Sequence, residues 1–219
     1  MRSSIADAVR EAGREPSDVT TIVVTKFHPA ALVRELATLG VLDVGENRQQ
    51  EASEKAAELA GLGLRWHFIG QLQSKKTRSV LEFASAIHSL DRDSLVTALG
   101  AAFAADGLRD PVDAFIQLNL TDDPARGGID PARLETFAES VLATEGVRLR
   151  GVMAVAPLDS EPRAAFARVR AMGERLQALA PSATALSMGM SGDYREAVLE
   201  GATHLRIGTA ITGNRPVSG

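Results

Sequence analysis

The stretch TTIVVTKFHPAALVRELATLG, residues 20–40, contains one complete strand–loop–helix unit. Residues 21–24 are apolar or β-branched, as in a buried strand, and Pro29 ends the extended run. Residues 30–39 then place apolar side chains at helical spacing, and Gly40 follows as a helix stop. Lys26 stands where the strand reaches the surface. Taken alone, such a lysine is best explained by an aliphatic stem in the core and an ammonium group in water, so its role depends on the rest of the chain.

The same unit recurs along the sequence. Eight short runs have strand character: 21–24, 41–46, 66–70, 86–91, 112–119, 148–155, 185–190 and 204–210. Helical patterns occupy 2–12, 30–39, 48–60, 92–105, 131–144 and 162–179, and a short helix is expected from Ser191 or Gly192 to Glu200. Alternation of strands and helices predicts a parallel sheet with helical crossovers. Eight near-equal units without a reversal point favour an α/β fold of the (β/α)8 TIM barrel type over an open doubly wound sheet, with residues 1–219 as a single domain.

Composition narrows the classes of function. The chain has 219 residues, 45% hydrophobic and 24% charged, with a net charge of −4 and no cysteine. Scattered basic residues in an acidic protein argue against nucleic acid and anionic membranes as partners. The lack of cysteine excludes disulfides and thiolate chemistry. No apolar run reaches transmembrane length, and the N-terminus lacks the apolar segment of a signal peptide, so we expect a soluble cytoplasmic protein.

The barrel prediction changes the interpretation of Lys26. Active sites of such barrels lie at the C-terminal ends of the strands, and Lys26 follows the first strand at that end. Other polar residues assigned to these ends are Glu46, Asn47, His67, Asp91, Asn119, Ser191 and Arg206. Because Lys26 lies among these polar residues, we expect it to take part in the active or binding site.

Two segments predict an anion site. SMGMSGD (187–193) and RIGT (206–209) end the seventh and eighth strands, where barrels of this type often bind phosphate. Ser191 and Thr209 supply hydroxyl donors. Gly189, Gly192 and Gly208 allow a close approach to backbone N–H groups. The alternative is that these glycines serve only tight turns.

Three other known site motifs are excluded by the residues at their required positions. Residues 208–213 have the glycine spacing of a P-loop, but Asn214 occupies the position of the required lysine. Residues 189–191 begin like a nucleophile elbow, but Asp193 stands at the second glycine position. The four histidines (28, 67, 88 and 204) lie far apart in the sequence, so no metal site is predicted.

Arg206 shares a strand face with Gly208 by period-two alternation. It is expected either to pair with a neighbouring carboxylate or to face a ligand. A lysine, a phosphate site and an arginine together suit an aldehyde that carries a phosphate. Pyridoxal 5′-phosphate (PLP) fits this description, while a sugar-phosphate aldolase or isomerase remains an alternative.

Specific motifs now suggest a family. The stretches are VVTK (23–26), GENRQQE (45–51), WHFIGQLQSKK (66–76), SLDR (89–92), GVMAV (151–155) and LSMGMSGDYREAVLEGATHLRIGTAITGNR (186–215). In this order they resemble the pyridoxal phosphate homeostasis proteins, the YggS-like family related to the barrel domain of alanine racemase. The resemblance covers nearly the whole chain, and its last stretch is highly specific. It implies the barrel of PLP fold-type III.

The resemblance also implies roles for individual residues. Lys26 would carry PLP as an imine, Asn47 would lie beside the ring, and Arg206 would meet the pyridine nitrogen. The phosphate would be held by Ser191, Gly192, Gly208 and Thr209. The sequence departs from the family pattern at Thr25, where serine is common, at 27–29 and 122–127, and at Thr212, where phenylalanine is usual.

The resemblance implies binding of PLP rather than turnover. A racemase of the related type needs a second base, a tyrosine supplied from a second domain. This chain has one predicted domain, and its single tyrosine, Tyr194, follows the phosphate loop. An arginine at the ring nitrogen weakens the electron sink, and short loops offer no lid. We therefore expect a non-catalytic protein of vitamin B6 and amino-acid homeostasis, a monomer or weak dimer that delivers PLP to apo-enzymes. The alternative is a PLP-dependent racemase or lyase.

Overall fold

A closed barrel of eight parallel strands forms the centre of the fold. The computed structural model describes residues 1–106 and 110–214; Arg215, the last residue of the 186–215 motif, lies outside them. The strands are β1 (Thr20–Val24), β2 (Asp43–Glu46), β3 (Arg65–Phe68), β4 (Ala84–Leu90), β5 (Val112–Gln117), β6 (Val147–Met153), β7 (Ala185–Ser187) and β8 (His204–Ile207). They pair in sequence order, and β8 closes the barrel on β1. The predicted (β/α)8 TIM barrel and its eight strands are confirmed.

Helices surround the barrel. They are α1 (Arg2–Glu11), α2 (Ala30–Thr38), α3 (Gln49–Glu58), α4 (Thr77–Leu81), α5 (Asp93–Asp106), α6 (Leu134–Leu142), α7 (Pro162–Leu179), α8 (Tyr194–Leu199) and α9 (Thr209–Thr212). The sequence analysis assigned no helix between β3 and β4, because the five residues of α4 are too few to show a helical period. No helix in the described parts of the chain is both long and apolar enough to cross a membrane.

The core has two layers, because a barrel strand is covered on both faces. The outer layer lies between strands and helices and contains large buried rings such as Phe68, Phe137 and Phe166. A smaller cluster inside the barrel consists of Ala86, Phe115, Met153 and Ala185. Burial on both faces explains why β1 shows a continuous apolar run instead of an alternating one.

Loop chemistry follows the sequence signals. Gly40 has φ 79°, the left-handed conformation that ends α2. Asp130 accepts a hydrogen bond from the backbone N–H of Ala132 at 2.8 Å and so caps the segment that follows it. Pro131, however, begins a 3-10 turn (Pro131–Arg133), and α6 starts only at Leu134.

The ends of β1 and β8 lie side by side. The N–H of Thr25 donates to the Gly45 carbonyl at 3.0 Å, so pairing with β2 continues one residue beyond β1. A Cβ added to Gly208 would lie 3.6 Å from Val24 Cβ. The residues that follow β1 and β8 therefore meet at one edge of the barrel opening.

Candidate functional site

Lys26 lies in a turn between β1 and α2. Its side chain is half-buried, and Nζ lies 6.0 Å from the centroid of the Phe27 ring. Phe27 has φ 68°, the only left-handed non-glycine residue among those described. Such a conformation costs about 1–3 kcal/mol and persists only where neighbouring contacts impose it. The backbone beside Lys26 is therefore held in a specific, unfavourable shape.

Four side chains impose that shape; we call Thr25, Glu46, Glu51 and Lys55 the Lys55 cluster. Lys55 Nζ donates to Glu46 Oε1 and Glu51 Oε1, both at 2.7 Å, and to the Thr25 carbonyl at 2.9 Å. The Thr25 hydroxyl donates to Glu46 Oε1 at 2.7 Å. The Phe27 N–H donates to Glu51 Oε1 at 2.6 Å. The residues on both sides of Lys26 are thus anchored to one buried ion cluster.

The charges of the Lys55 cluster are removed from water. Glu46 and Lys55 are both buried. Burial raises the pKa of Glu46. Hydrogen bonds from Lys55 and Thr25, and the charge of Lys55, lower this pKa but only partly cancel the effect of burial. Glu46 Oε2 is buried without a hydrogen-bond partner among the described residues. This carboxylate therefore depends on Lys55 for most of its compensation.

The sequence analysis missed Lys55, although a signal was available. On α3, residues 52, 55 and 59 follow helical spacing, and Ala52 and Leu59 belong to the apolar stripe. A lysine within that stripe faces the barrel. A buried lysine requires an acidic partner, and two candidates are Glu51, one helical turn earlier, and Glu46, at the end of an apolar strand.

The loop after β7 is tightly constrained. The N–H of Arg206 donates to the Gly189 carbonyl at 3.0 Å, and the N–H of Met190 donates to Asp193 Oδ1 at 2.6 Å. Gly189 has φ 90°, and an added Cβ would lie 2.5 Å from Ala197 Cβ. Ser191 is half-buried and Gly192 exposed. The expected helix starts at Tyr194 instead of Ser191 or Gly192, because Asp193 caps the loop instead of extending the helix.

The segment after β8 lies next to that loop. Gly208 is half-exposed and Thr209, the first residue of α9, is exposed. The Gly208 carbonyl accepts hydrogen bonds from the N–H groups of Ile211 at 2.8 Å and Thr212 at 3.0 Å, which form the first turn of α9. The predicted phosphate-site residues thus follow two adjacent strands, and Lys26 follows a third, β1.

Arg206 is buried inside the barrel rim with an exposed fraction of 5%. One terminal nitrogen, NH1, donates to the carbonyl and hydroxyl oxygens of Ser187, both at 2.7 Å, and NH2 donates to the Ala154 carbonyl at 2.8 Å. Burial lowers the pKa of Arg206 to about 10, against a raising effect of Asp193. The guanidinium is charged at neutral pH. Among the described residues it bonds neutral oxygens and no carboxylate, so the expected alternative of a carboxylate pair is not found there.

Asn47 follows β2 at the same end of the barrel. Its Oδ1 is buried and has no hydrogen-bond partner among the described residues. Its backbone packs tightly, since a Cβ added to Gly70 would lie 2.2 Å from the Asn47 carbonyl oxygen. An unpartnered buried amide oxygen is costly, so this atom suits a polar group of a ligand.

Three other expected rim residues have different roles. His67 lies within β3 and bonds Asp43, the first residue of β2, so it is inside the barrel and not at the C-terminal rim. Asp91 pairs with Arg92. Asn119 accepts a hydrogen bond from the N–H of Thr121 at 2.9 Å within its own loop.

Three of the four histidines lie close together in space. The rings of His67, His88 and His204 lie within 5.2–6.5 Å of one another inside the barrel. Distance along the chain concealed this arrangement. No group of three or more His, Cys, Asp or Glu side chains within the described ranges is placed to hold a metal ion.

The fold and the site together define a class: a (β/α)8 barrel with a lysine after β1, glycine-containing loops after β7 and β8, and a buried arginine in β8. Comparison with known proteins identifies a family with this fold. The family model "Alanine racemase, N-terminal domain" matches residues 3–216.

Curated relatives are similar over nearly their full length. The Pseudomonas aeruginosa pyridoxal phosphate homeostasis protein is 44% identical, with 98% of this chain and 93% of that protein covered. The Mycobacterium tuberculosis protein of the same name is 39% identical, with coverages of 98% and 90%. The structure of PipY from Synechococcus elongatus with PLP bound has a TM-score of 0.83 at 38% identity, covering 95% of this chain and 100% of that one. The chain belongs to the alanine racemase N-terminal-domain family and, within it, to the pyridoxal phosphate homeostasis proteins.

Proposed function

We propose that this protein binds PLP through an imine to Lys26 and holds it without turning over amino acids, in the service of vitamin B6 and amino-acid homeostasis. The observation that carries the proposal is the convergence of Lys26, the two glycine-containing loops and Arg206 at one end of the barrel. Similarity to PipY, whose structure has PLP bound, supports the same ligand.

Covalent attachment requires only the amine of Lys26. Nζ adds to the aldehyde carbon of PLP, one water molecule leaves, and a C=N bond remains. The strained turn at Phe27 and the Lys55 cluster hold the backbone on both sides of Lys26. They restrict the positions that Nζ can occupy, which favours one attachment geometry.

The phosphate group would be bound by the segments after β7 and β8. The hydroxyls of Ser191 and Thr209 and the N–H groups of Gly192 and Gly208 are the proposed donors. All four residues are at least partly exposed at the barrel opening, so an anion can reach them. Hydrogen bonds to a charged acceptor are each worth about 1.5–3 kcal/mol.

The ring would lie between Arg206 and Asn47. Arg206 is a donor only and stays charged, since its pKa is about 10. A pyridine nitrogen that accepts from it remains unprotonated. When bound, PLP stabilises carbanions through its ring, and it does so less well without a proton on that nitrogen. Asn47 Oδ1, which has no hydrogen-bond partner within the described ranges, would provide a polar contact beside the ring.

The tyrosine of this chain is poorly suited to act as a second base. Tyr194 packs against the hydrophobic core at the start of α8, and Arg195 lies 5.7 Å from its ring centroid. This arrangement supports a carrier over a racemase. Four further statements stay predictions from the sequence. They are a single domain over 1–219, a cytoplasmic location, a monomer or weak dimer, and apo-enzyme partners.

Turnover and delivery can be measured on one preparation. The PLP-loaded protein is incubated with a panel of L- and D-amino acids, and products are quantified by chiral chromatography. It is then mixed with a PLP-dependent apo-enzyme whose recovered activity reports transfer. We expect no amino-acid turnover above that of free PLP and full recovery of the apo-enzyme. Turnover that disappears in Lys26→Ala would establish the racemase or lyase alternative instead.

The phosphate assignment has a matched ligand control. The double variant Ser191→Ala/Thr209→Val should bind PLP at least about tenfold more weakly, because two hydrogen bonds to a charged group are lost. Pyridoxal, which lacks the phosphate, should bind the variant and the wild type equally. Dissociation constants for both ligands come from titration of the near-visible absorption. An equal loss for both ligands would show that these hydroxyls do not bind the phosphate.

A further inference from the structure

A continuous line of hydrogen bonds runs through the interior of the barrel. It consists of Asp43, His67, His88, Ser187 and Arg206, and we call it the axial chain. His67 Nε2 lies 3.0 Å from Asp43 Oδ1, and His67 Nδ1 lies 2.9 Å from His88 Nε2. His88 Nδ1 lies 2.8 Å from Ser187 Oγ, which accepts from Arg206 NH1 at 2.7 Å. Five different strands or strand ends contribute to a single connected path.

The two ends of the axial chain have fixed hydrogen-bonding roles. A guanidinium is a donor only and an ionised carboxylate an acceptor only. Burial alone would raise the pKa of Asp43, but hydrogen bonds from His67 and Arg65, together with the Arg65 charge, lower it to about 2. Asp43 is therefore ionised at neutral pH. The axial chain therefore begins at a donor, Arg206, and ends at an acceptor, Asp43.

With both histidines neutral, one arrangement of protons satisfies every bond of the axial chain. Burial, and after it the proximity of His67, Arg206 and His204, lowers the pKa of His88 well below its usual range, so this ring is neutral. The Ser187 hydroxyl donates to His88 Nδ1, His88 Nε2–H donates to His67 Nδ1, and His67 Nε2–H donates to Asp43. The reverse arrangement would direct a histidine lone pair at the Asp43 carboxylate.

Packing fixes the middle of the axial chain. His88 and Ser187 have no exposed surface, and His67 has 6%. The His88 ring stacks on Phe115 with centroids 4.2 Å apart and planes at 10°. Asp43 lies at the other end of the barrel, where it lines a cavity of about 830 Å³ together with Arg65. Only the Asp43 end of the chain reaches this cavity, and Arg206 occupies the opposite end.

We propose that the axial chain holds the Arg206 guanidinium in position for the ring of the bound cofactor, with His88 and Ser187 as positioning residues. The inference rests on the proposed function for its ligand. By accepting the Ser187 proton, His88 keeps the lone pairs of that hydroxyl directed at Arg206. Without this acceptor, the hydroxyl is free to rotate and direct its proton toward the guanidinium, which weakens one of the two NH1 contacts.

Two substitutions at His88 separate positioning from packing. His88→Phe keeps a ring against Phe115 and removes the acceptor. His88→Asn loses the ring but retains an acceptor, Oδ1, as many bonds from Cβ as Nδ1 is. For both variants and the wild type, we compare the dissociation constants of PLP and pyridoxal, obtained by titration. We also compare the position of the near-visible absorption band. We expect His88→Phe to bind both ligands about tenfold more weakly, with a shifted band, and His88→Asn to restore most of the affinity and the band position.

A readout without cofactor tests the axial chain itself. Nitrogen-15 NMR of histidine-labelled apoprotein should show His67 and His88 as Nε2–H tautomers with unprotonated Nδ1. A protonated Nδ1 on His88 would overturn the proposal, whether or not PLP binds. If His88→Phe does not fold, Ser187→Ala replaces it, because that variant removes the hydroxyl and retains the carbonyl contact to Arg206. Equal affinities in all variants, or equal losses in His88→Phe and His88→Asn, would also refute positioning. A missing Lys26 adduct in the wild type would instead refute the proposed function.

Discussion

Lys26→Ala should lose the near-visible absorption band that the wild type shows with PLP, because this variant removes the only amine placed after β1. Borohydride reduction of the wild type should attach PLP to the peptide that contains Lys26, with a stoichiometry approaching one per chain. The same treatment of the variant should leave that peptide unmodified. Absorption spectra and peptide mass mapping measure both results.

A matched control is available at Lys75. This lysine is exposed in the 3-10 turn Ser74–Lys76, so Lys75→Ala should retain the band and the adduct. A band that survives in Lys26→Ala, or an adduct on Lys75, would contradict the assignment. Lys26 would then be explained by its solvated ammonium group, and a sugar-phosphate ligand would again be the better alternative.

Lys55→Met should destabilise the fold by about 3–5 kcal/mol at neutral pH, because it leaves Glu46 buried without its cation. The lysine also anchors Thr25 beside the functional turn, so PLP attachment should become heterogeneous. Chemical denaturation measures the free energy of unfolding. Lys76→Met, at an exposed position in the Ser74–Lys76 turn, is the control and should change stability by less than about 0.5 kcal/mol.

The loss in Lys55→Met should depend on pH in a definite direction. Burial already raises the pKa of Glu46 above its ordinary value of 4.5, and removing Lys55 removes contributions that lower it. A carboxyl whose pKa is raised by folding contributes stability below its unfolded pKa, and this stability is lost as the pH rises through the folded pKa. The deficit of the variant should therefore be smaller near pH 4 than at pH 7.5.

A second substitution checks the cause. Glu46→Gln in the Lys55→Met background removes the unpaired carboxylate and should recover a large part of the lost stability at pH 7.5. Equal deficits at the two pH values, with no recovery in the double variant, would mean that Lys55 stabilises the protein through packing of its stem and not through its charge.

Sequence reasoning succeeded where the signal is local. A strand and a helix each repeat their pattern within about a dozen residues, so eight alternating units could be counted without knowledge of any contact. The barrel in turn brings the C-terminal ends of all its strands to one opening. Lys26, Asn47, Ser191, Gly208 and Thr209 could therefore be grouped from their positions after strands, and the structure places them at that end.

Sequence patterns gave the wrong position, or none, where a residue's role depends on its depth in the barrel or on a neighbouring element. His67 was expected at the rim, yet it lies inside the barrel, because the alternation that chooses a face does not tell how deep along the strand a side chain sits. Lys55 was not singled out within the helical pattern 48–60. Its burial depends on Glu46 and Glu51 lying within reach, and nothing in a helical period specifies a neighbouring strand.

The sequence by itself determined the repeated unit, the barrel and the set of polar residues at strand ends, because these follow from periodicities of two and 3.6 residues and from strand order. The tertiary structure alone decided the axial chain. His88 and Ser187 are 99 positions apart, and their hydrogen bond exists only because closure of the barrel turns β4 and β7 toward a common axis. Once they are buried there, each polar atom must find a partner, since an unpaired donor or acceptor in the core costs about 1–3 kcal/mol.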